Sequence, residues 1–310
     1  PYNYQDHLYD KSRPENLTFL ERFRALLDEY PAAAAVGEVG DSQRGLEIVA
    51  SYTQDNKRVQ MCYAFDFLAP EKLSAAKVRH VLQEFGQVAR SGWSCWAFSN
   101  HDVKRHASRW AEGEADPGAY LKVVSALLMS LRGSVCLYQG EELGLTEADL
   151  AFEDLRDPYG IRFWPQFKGR DGCRTPMVWS AGARNGGFSQ ERPWLPVPEE
   201  HLGKAVDVQR GDEASLLEHY RRFLAFRRLH PALVRGDINF LPSEGETIAF
   251  TRGNGTDRLV CVFNLASHPA LVDLGSDLRL QPVSGHGFAG EAEAGRVRLG
   301  PYGAWFGRMV

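Results

Sequence analysis

Residues 93–145 read WSCWAFSNHDVKRHASRWAEGEADPGAYLKVVSALLMSLRGSVCLYQGEELGL. The run WSCWAFSNHD is apolar until it ends in Asn100, His101 and Asp102. GAYLKVVSALLMSLRG then has the length and apolar periodicity of a helix, and SVCLYQGEELGL is apolar again before it opens on Gly140, Glu141 and Glu142. Strands whose apolar residues run on without alternating belong in a sheet covered on both faces. A long helix between two of them is the crossover that parallel neighbours require.

The same unit recurs upstream. RPENLTFLERFRALLDEY, from Arg13 to Tyr30, reads as a helix with Leu17, Phe19, Leu20, Phe23, Leu26 and Leu27 on its apolar face, stopped by Pro31. AAAAVGEVGD is a short strand that carries Glu38 to its C-terminal end, GLEIVASYT is a helical turn, VQMCYAFDFLA is a second strand and AAKVRHVLQEFGQVAR a helix. Strands alternating with helices predict an α/β fold with a parallel sheet, but four such strands cannot by themselves close an eight-stranded barrel. Downstream, residues 146–203 lose periodicity in a stretch rich in Pro, Gly, Arg and Trp, a loop length that is usually functional. ASLLEHYRRFLAFRRLHPAL predicts a last helix ending at Pro231. After it INFL, TIAFTRG, RLVCVFNLA, PALVDLG, GRVRLG and GAWFGRMV are short strands between turn residues. The predicted division is an α/β part over residues 1–233 and a small antiparallel β-domain over residues 234–310.

Composition narrows the function. A net charge of −4 speaks against non-specific binding to nucleic acid or anionic membranes, both of which rest on a basic surface. No apolar run reaches the roughly 18 residues of a membrane span. Cys62, Cys95, Cys136, Cys173 and Cys261 are odd in number and scattered, without C-x-x-C spacing, which predicts free thiols in a reducing compartment. With no secretory leader pattern, the expected location is the cytoplasm. A phosphate loop, a glycine-rich dinucleotide fingerprint between a strand and a helix, and a serine nucleophile elbow are all absent from the sequence.

Four clusters carry candidate chemistry. Glu38 ends a strand, a place where a glutamate is often merely solvated. Here Gly37 and Gly40 flank it and permit close approach of backbone or substrate, and strand C-termini are where barrels place catalytic groups. Asn100, His101 and Asp102 end an aromatic strand, and packing alone does not explain them. A His–Asp metal pair lacks a third ligand nearby, so the aspartate is expected to stabilise positive charge and the histidine to donate hydrogen bonds to a polar ligand. Arg170, Asp171 and Arg174 could be a surface ion-pair set. Beside Phe163, Trp164, Phe167 and Trp179, however, they combine the aromatic faces and bidentate donors that sugar binding uses. Tyr138 to Glu142 is expected to support the site from a strand mouth rather than react.

Taken together, GEVGD, FSNHD, YQGEELG and GRDGCRTPMVWS followed by NGGFS resemble, in this order, the α-amylase superfamily of glycoside hydrolases, in particular its α-glucosidase and oligo-1,6-glucosidase branch. The resemblance extends over essentially the whole chain. It implies the second half, strands five to eight, of a (β/α)8 TIM barrel followed by a C-terminal antiparallel β-sandwich. It makes Glu38 the general acid/base, Asp102 the carboxylate that stabilises the transition state, and His101 a donor to the glucosyl ring. Arg170 would close the end of the −1 pocket, with Arg174 as the alternative. The implied chemistry is retaining double displacement, in which a second carboxylate about 5 to 5.5 Å from the acid attacks the anomeric carbon. Burial or a neighbouring carboxylate would keep Glu38 protonated.

The family's nucleophile lies in a G-F-R-x-D-like segment that this sequence does not contain. The opening residues PYNYQDHLYD, without a start methionine, read as the interior of a longer product. An N-terminal half is therefore expected as a separate chain or fragment. It would supply the nucleophile and leave room for a calcium ion, with no cofactor in this chain. The expected substrate is a maltose-like α-glucoside. Sucrose- or trehalose-acting transferases and isomerases of the same superfamily are the rival reading. A non-catalytic barrel is a more distant one, since it would have lost the carboxylates that Glu38 and Asp102 retain.

Overall fold

A computed structural model of the chain describes residues 7–41, 43–255 and 257–309, so the opening residues up to Asp6 lie outside the described residues. The elements run in chain order as α1 (Glu15–Leu27), β1 (Val36–Val39), α2 (Gly45–Thr53), β2 (Met61–Ala64), α3 (Ala75–Val88), β3 (Ser94–Trp96), α4 (His106–Trp110), α5 (Pro117–Leu128) and β4 (Ser134–Val135). Short helices α6 (Pro158–Phe163), α7 (Glu199–Leu202) and α8 (Val206–Gln209) punctuate the irregular stretch that follows. Then come α9 (Leu216–Leu229), α10 (Pro231–Arg235) and the strands β5 (Ile238–Phe240), β6 (Thr247–Asn254), β7 (Asp257–Asn264), β8 (Ala270–Asp273), β9 (Leu280–Pro282), β10 (Gly290–Glu293), β11 (Arg296–Leu299) and β12 (Ala304–Met309). The chain forms two compact units. The first comprises Pro1–Phe67, Arg79–Ala97 and Gly133–Cys136, and the second comprises Leu68–Val78, Phe98–Arg132 and Leu137–Val310.

In the first unit β1 to β4 make a parallel sheet in sequence order, with Glu38 in register with Tyr63 and Cys95 with Ser134. Sequential order with right-sized crossovers is barrel connectivity. Among the described residues β1 pairs only with β2 and β4 only with β3, so both sheet edges are open. The ladders are shorter than the apolar runs suggest, since β4 holds only Ser134 and Val135 although the apolar run continues through Cys136, Leu137 and Tyr138. Trp96, fully buried, packs between Phe67 and Phe85 at ring separations of 5.3 and 5.6 Å. Gly37 meets a close approach: a Cβ there would lie 2.6 Å from Cys62 Sγ. Helix α1 forms as expected, but its apolar residues do not share one face. Leu17, Leu20, Phe23 and Leu27 are half-buried, whereas Phe19 is 60% and Leu26 50% exposed. Two residues along a helix is a rotation of about 200°, which puts Phe19 opposite Leu17, and Leu26 follows Phe19 by two turns.

In the second unit Asp116 caps α5 by accepting from Ala119 N at 2.9 Å with Pro117 in the first turn, and Ser215 caps α9 by accepting from Glu218 N at 3.2 Å. Pro231 does more than end α9, because it opens α10 from the first-turn position where its missing N–H costs nothing. The strands form two antiparallel sheets, β5-β6-β7-β12-β9 and β10-β11-β8. Ala249, Val260, Val262 and Trp305 of the larger sheet share one core with Val272, Val297 and Leu299 of the smaller, the layering of a β-sandwich. β9 and β10, LQP and GEAE, are additions to the expected strands, because neither shows apolar alternation. Fully buried Arg252 of β6 donates to the carbonyls of Ser130, Leu131, Gly236 and Asp237, so the last turn beyond α5 finds its donor in a side chain. Burial pulls that guanidinium down to about 9.

Candidate active site

Asn100 fixes the geometry at the start of the second unit's polar cluster. Buried itself, it turns Oδ1 back to accept from Asp102 N at 2.9 Å and Val103 N at 3.0 Å. This side-chain turn holds the backbone of residues 101–103 and aims His101 and Asp102 outward. The His101 side chain is 63% exposed, with Nε2 at 3.6 Å from Asp102 Oδ1.

Two arginines converge on the same oxygen. Arg170 Nη1 donates to Asp102 Oδ1 at 2.8 Å and Arg174 Nη2 donates to it at 3.0 Å, while Arg174 Nε also donates to His101 O at 2.7 Å. Asp102 Oδ2 accepts no hydrogen bond among the described residues, and the side chain remains 33% exposed. The carboxylate is thus pinned on one oxygen and open to a ligand on the other.

Behind the arginines lies a relay of buried carboxylates. Asp157 Oδ2 accepts from Arg170 N at 2.8 Å and Arg170 Nε at 3.1 Å, and its Oδ1 accepts from Tyr159 N at 3.0 Å. Burial raises the Asp157 carboxyl, but these N–H donors and the Arg170 guanidinium outweigh it and hold the group below its ordinary 3.8. Asp171 Oδ2 accepts in turn from Arg156 N at 2.6 Å and Asp157 N at 2.7 Å. The strand-mouth segment braces the same loop from the other side: Tyr138 Oη donates to Cys173 O at 3.0 Å and Gln139 Nε2 to Thr175 O at 3.3 Å. Buried Arg105 donates to Gln139 O and stands 5.0 Å over the Tyr138 ring. Below it, burial and the charges of Arg109 and Arg105 push His106 down to about 3. His106 is therefore neutral; the Ser99 hydroxyl accepts from His106 N at 2.9 Å and hydrogen-bonds its ring Nδ1 at 2.8 Å.

The structure therefore brings His101, Asp102, Arg170 and Arg174 together, and both arginines hold the aspartate. Glu38 belongs to the first unit, exposed on β1, so the burial expected of a general acid is absent among the described residues. Next to it Asp41 accepts from Gln43 N at 3.0 Å and Arg44 N at 2.8 Å, bonds that keep it below the ordinary carboxylate range. Sequence reasoning misses Asp157 and Arg105. Asp157 has a signal, since Asp before Pro158 is a helix N-cap pattern. Cys62, Cys95, Cys136, Cys173 and Cys261 are all free, and only Cys136 is exposed. Among the described residues no helix is long and apolar enough to cross a membrane, and no group of three or more His, Cys, Asp or Glu is arranged to hold a metal ion.

Residues 2–236 match the family model described as alpha amylase, catalytic domain. A probable alpha-glucosidase of Rhizobium meliloti (strain 1021) is 57% identical over 310 residues, which is 100% of this chain and 56% of that protein. An oligo-1,6-glucosidase of Heyndrickxia coagulans is 26% identical over 87% of this chain and 54% of its own length. Among solved structures the alpha-glucosyl transfer enzyme XgtA superposes with a TM-score of 0.90 at 43% identity, covering 100% of this chain and 57% of XgtA. The chain spans about half the length of the relatives it matches.

Proposed function

We propose, from the fact that this chain belongs to the α-amylase catalytic-domain family, that it supplies the acid/base and the transition-state carboxylate of a retaining α-glucosidase. Its nucleophile would come from an N-terminal half outside this sequence, as a separate chain or a fragment of the same enzyme. The substrate is a terminal α-linked glucose of a short, maltose-like α-glucoside, processed in the cytoplasm. The observation that carries the reading is the convergence of Arg170 and Arg174 on Asp102 Oδ1. A carboxylate locked on one oxygen and open on the other is preorganised to grip a ring hydroxyl and to face the positive charge of an oxocarbenium-like transition state. Two further features support a missing half. The parallel sheet has open edges at β1 and β4, and an exposed second apolar stripe on α1 carries Phe19 and Leu26.

In the first step Glu38 protonates the leaving oxygen as the outside carboxylate attacks the anomeric carbon. In the second step Glu38 takes a proton from the water that releases glucose. His101, exposed and so within reach of a ligand, donates to the ring, and Asp102 Oδ2 accepts. The 43% identity to a glucosyl transfer enzyme favours a second outcome of the same intermediate, in which a sugar hydroxyl replaces water and glucose is transferred. Incubating the enzyme, complete with its N-terminal half, with maltose, sucrose and isomaltose and separating the products by chromatography tests the reading. Glucose release or transfer from maltose, lost in Glu38→Gln, is expected. Isomerised sucrose with maltose untouched would point to the isomerase rival, and an active Glu38→Gln enzyme would point to a different acid.

A further inference from the structure

Trp194, at 76%, is the most exposed tryptophan among the described residues, and it stands over a cavity of about 320 Å³. Its neighbour Leu195 is buried against Ala148, Leu150 and Leu155, which anchors the segment and leaves the indole facing outward. Asn185 and Gly186, which line the cavity, are held at positive φ of 51° and 61°, and Gly186 O accepts from Trp179 N at 2.7 Å and Ser180 N at 2.9 Å. Pro193, Pro196, Val197 and Leu202 line it with apolar surface, and polar groups stand among them. Arg192 Nη2 pairs with Asp154 Oδ1 at 3.4 Å, and Asn185 spends its Nδ2 on Ser189 O and Glu191 O while its Oδ1 accepts nothing among the described residues.

We propose that this cavity is a second sugar-binding site, built from none of the residues that gather on Asp102. It would take a glucosyl unit of a neutral α-linked oligosaccharide with one ring face on Trp194. An indole face covers the axial C–H surface of a sugar ring, while in-plane hydroxyls need paired donors and acceptors at the rim. The Asp154–Arg192 pair provides both with no net charge, which suits a polyol and not an anion or a cation. The volume lies at the small end of the ligand-pocket range of roughly 300 to 1,000 Å³, enough for one or two sugar units. A site of this kind would hold a longer chain near the enzyme without taking part in its cleavage.

Only the ligand class rests on the glucosidase reading; binding is read without turnover, so the two stand or fall separately. Affinity electrophoresis of the enzyme, complete with its N-terminal half, through gels containing soluble starch, with maltotriose as competitor, is the test. The wild-type chain should be retarded. Trp194→Ala should weaken the apparent affinity about ten-fold or more, and Arg192→Ala, whose 79% exposed side chain cannot carry the fold, should weaken it measurably. Arg174→Ala should be retarded as the wild type is. A wild-type chain that runs unretarded, variants at 192 and 194 that bind normally, or retardation abolished by Arg174→Ala alone would each overturn the proposal. So would a Trp194→Ala chain that changes its sedimentation instead of its sugar binding, which would make the face a protein contact.

Discussion

Replacing Asp157 with Asn keeps the shape of the side chain and removes its charge. The carboxylate accepts three hydrogen bonds, one on Oδ1 from Tyr159 N and two on Oδ2 from Arg170 N and Nε. An amide can satisfy one side only, because its NH2 group must face an N–H donor on the other. Hydrogen bonds to a charged group contribute about 1.5 to 3 kcal/mol each. Arg170 is a third exposed and partly screened, so the loss should be about 2 to 3 kcal/mol, or roughly 30- to 150-fold in the folding equilibrium. Urea unfolding followed by tryptophan fluorescence reads it as a lower midpoint at unchanged slope. A double-mutant cycle with Arg170→Met should give a coupling of about 1 kcal/mol or more. Additivity within about 0.5 kcal/mol would refute the idea that Asp157 acts by holding Arg170 on Asp102. The pH dependence has a fixed sign. With its folded-state pKa below the ordinary 3.8, Asp157 contributes its stability above that value and loses it as pH falls further. The gap between wild type and Asp157→Asn should therefore close only in acid below about pH 4.

Gly37→Ala would push a Cβ to 2.6 Å from Cys62 Sγ and should cost about 1 to 3 kcal/mol in thermal unfolding. The same change in a Cys62→Ala background should recover most of the loss, and equal effects in both backgrounds would contradict the close approach. Tyr138→Phe deletes the bond to Cys173 O and should cost about 1 kcal/mol while raising amide exchange at residues 170–175. Unchanged exchange there would mean the strand mouth does not brace the arginine loop. Burial pushes His106 and His219 down to about 3 and His201 and His286 down to about 4, from an ordinary 6.5. Their folded-state values are lowered, so the stability they hold is complete above 6.5 and drains away as pH falls. Each adds up to about 1.4 kcal/mol per pH unit between roughly pH 6 and 4.5. Unfolding free energies measured across that range should slope steeply, and less so in His219→Phe; a flat profile would contradict the buried, neutral assignment.

The order of strands and helices up to residue 135, the short α4 excepted, is legible in the sequence because apolar runs, caps and prolines agree there, as at Asp116–Pro117. Ladder lengths are not, since a run such as SVCLYQ keeps its apolar character past the point where the backbone leaves the sheet. On α1 composition misleads: six apolar residues suggest one face, yet Phe19 and Leu26 are rotated away from the other four. β9 and β10 are held by their partners' ladders rather than by apolar alternation of their own. At the site Asp102, Arg170 and Arg174 stand out because charged groups beside aromatic residues are costly unless used. Asp171 and Asp157 are less legible as a pair, because they act through backbone N–H groups 13 to 15 residues away that no local pattern displays.

Trapping the glycosyl–enzyme intermediate with a 5-fluoro-α-glucosyl fluoride, then locating the labelled peptide by mass spectrometry, asks directly which carboxylate attacks. The label should fall on an aspartate of the preceding half, with every peptide of residues 1–310 unmodified and Glu38 and Asp102 free. A glucosyl adduct on Glu38, Asp102 or any other acid of this chain would contradict the assignment of Glu38 as acid/base, Asp102 as stabilising carboxylate and the nucleophile to the other half.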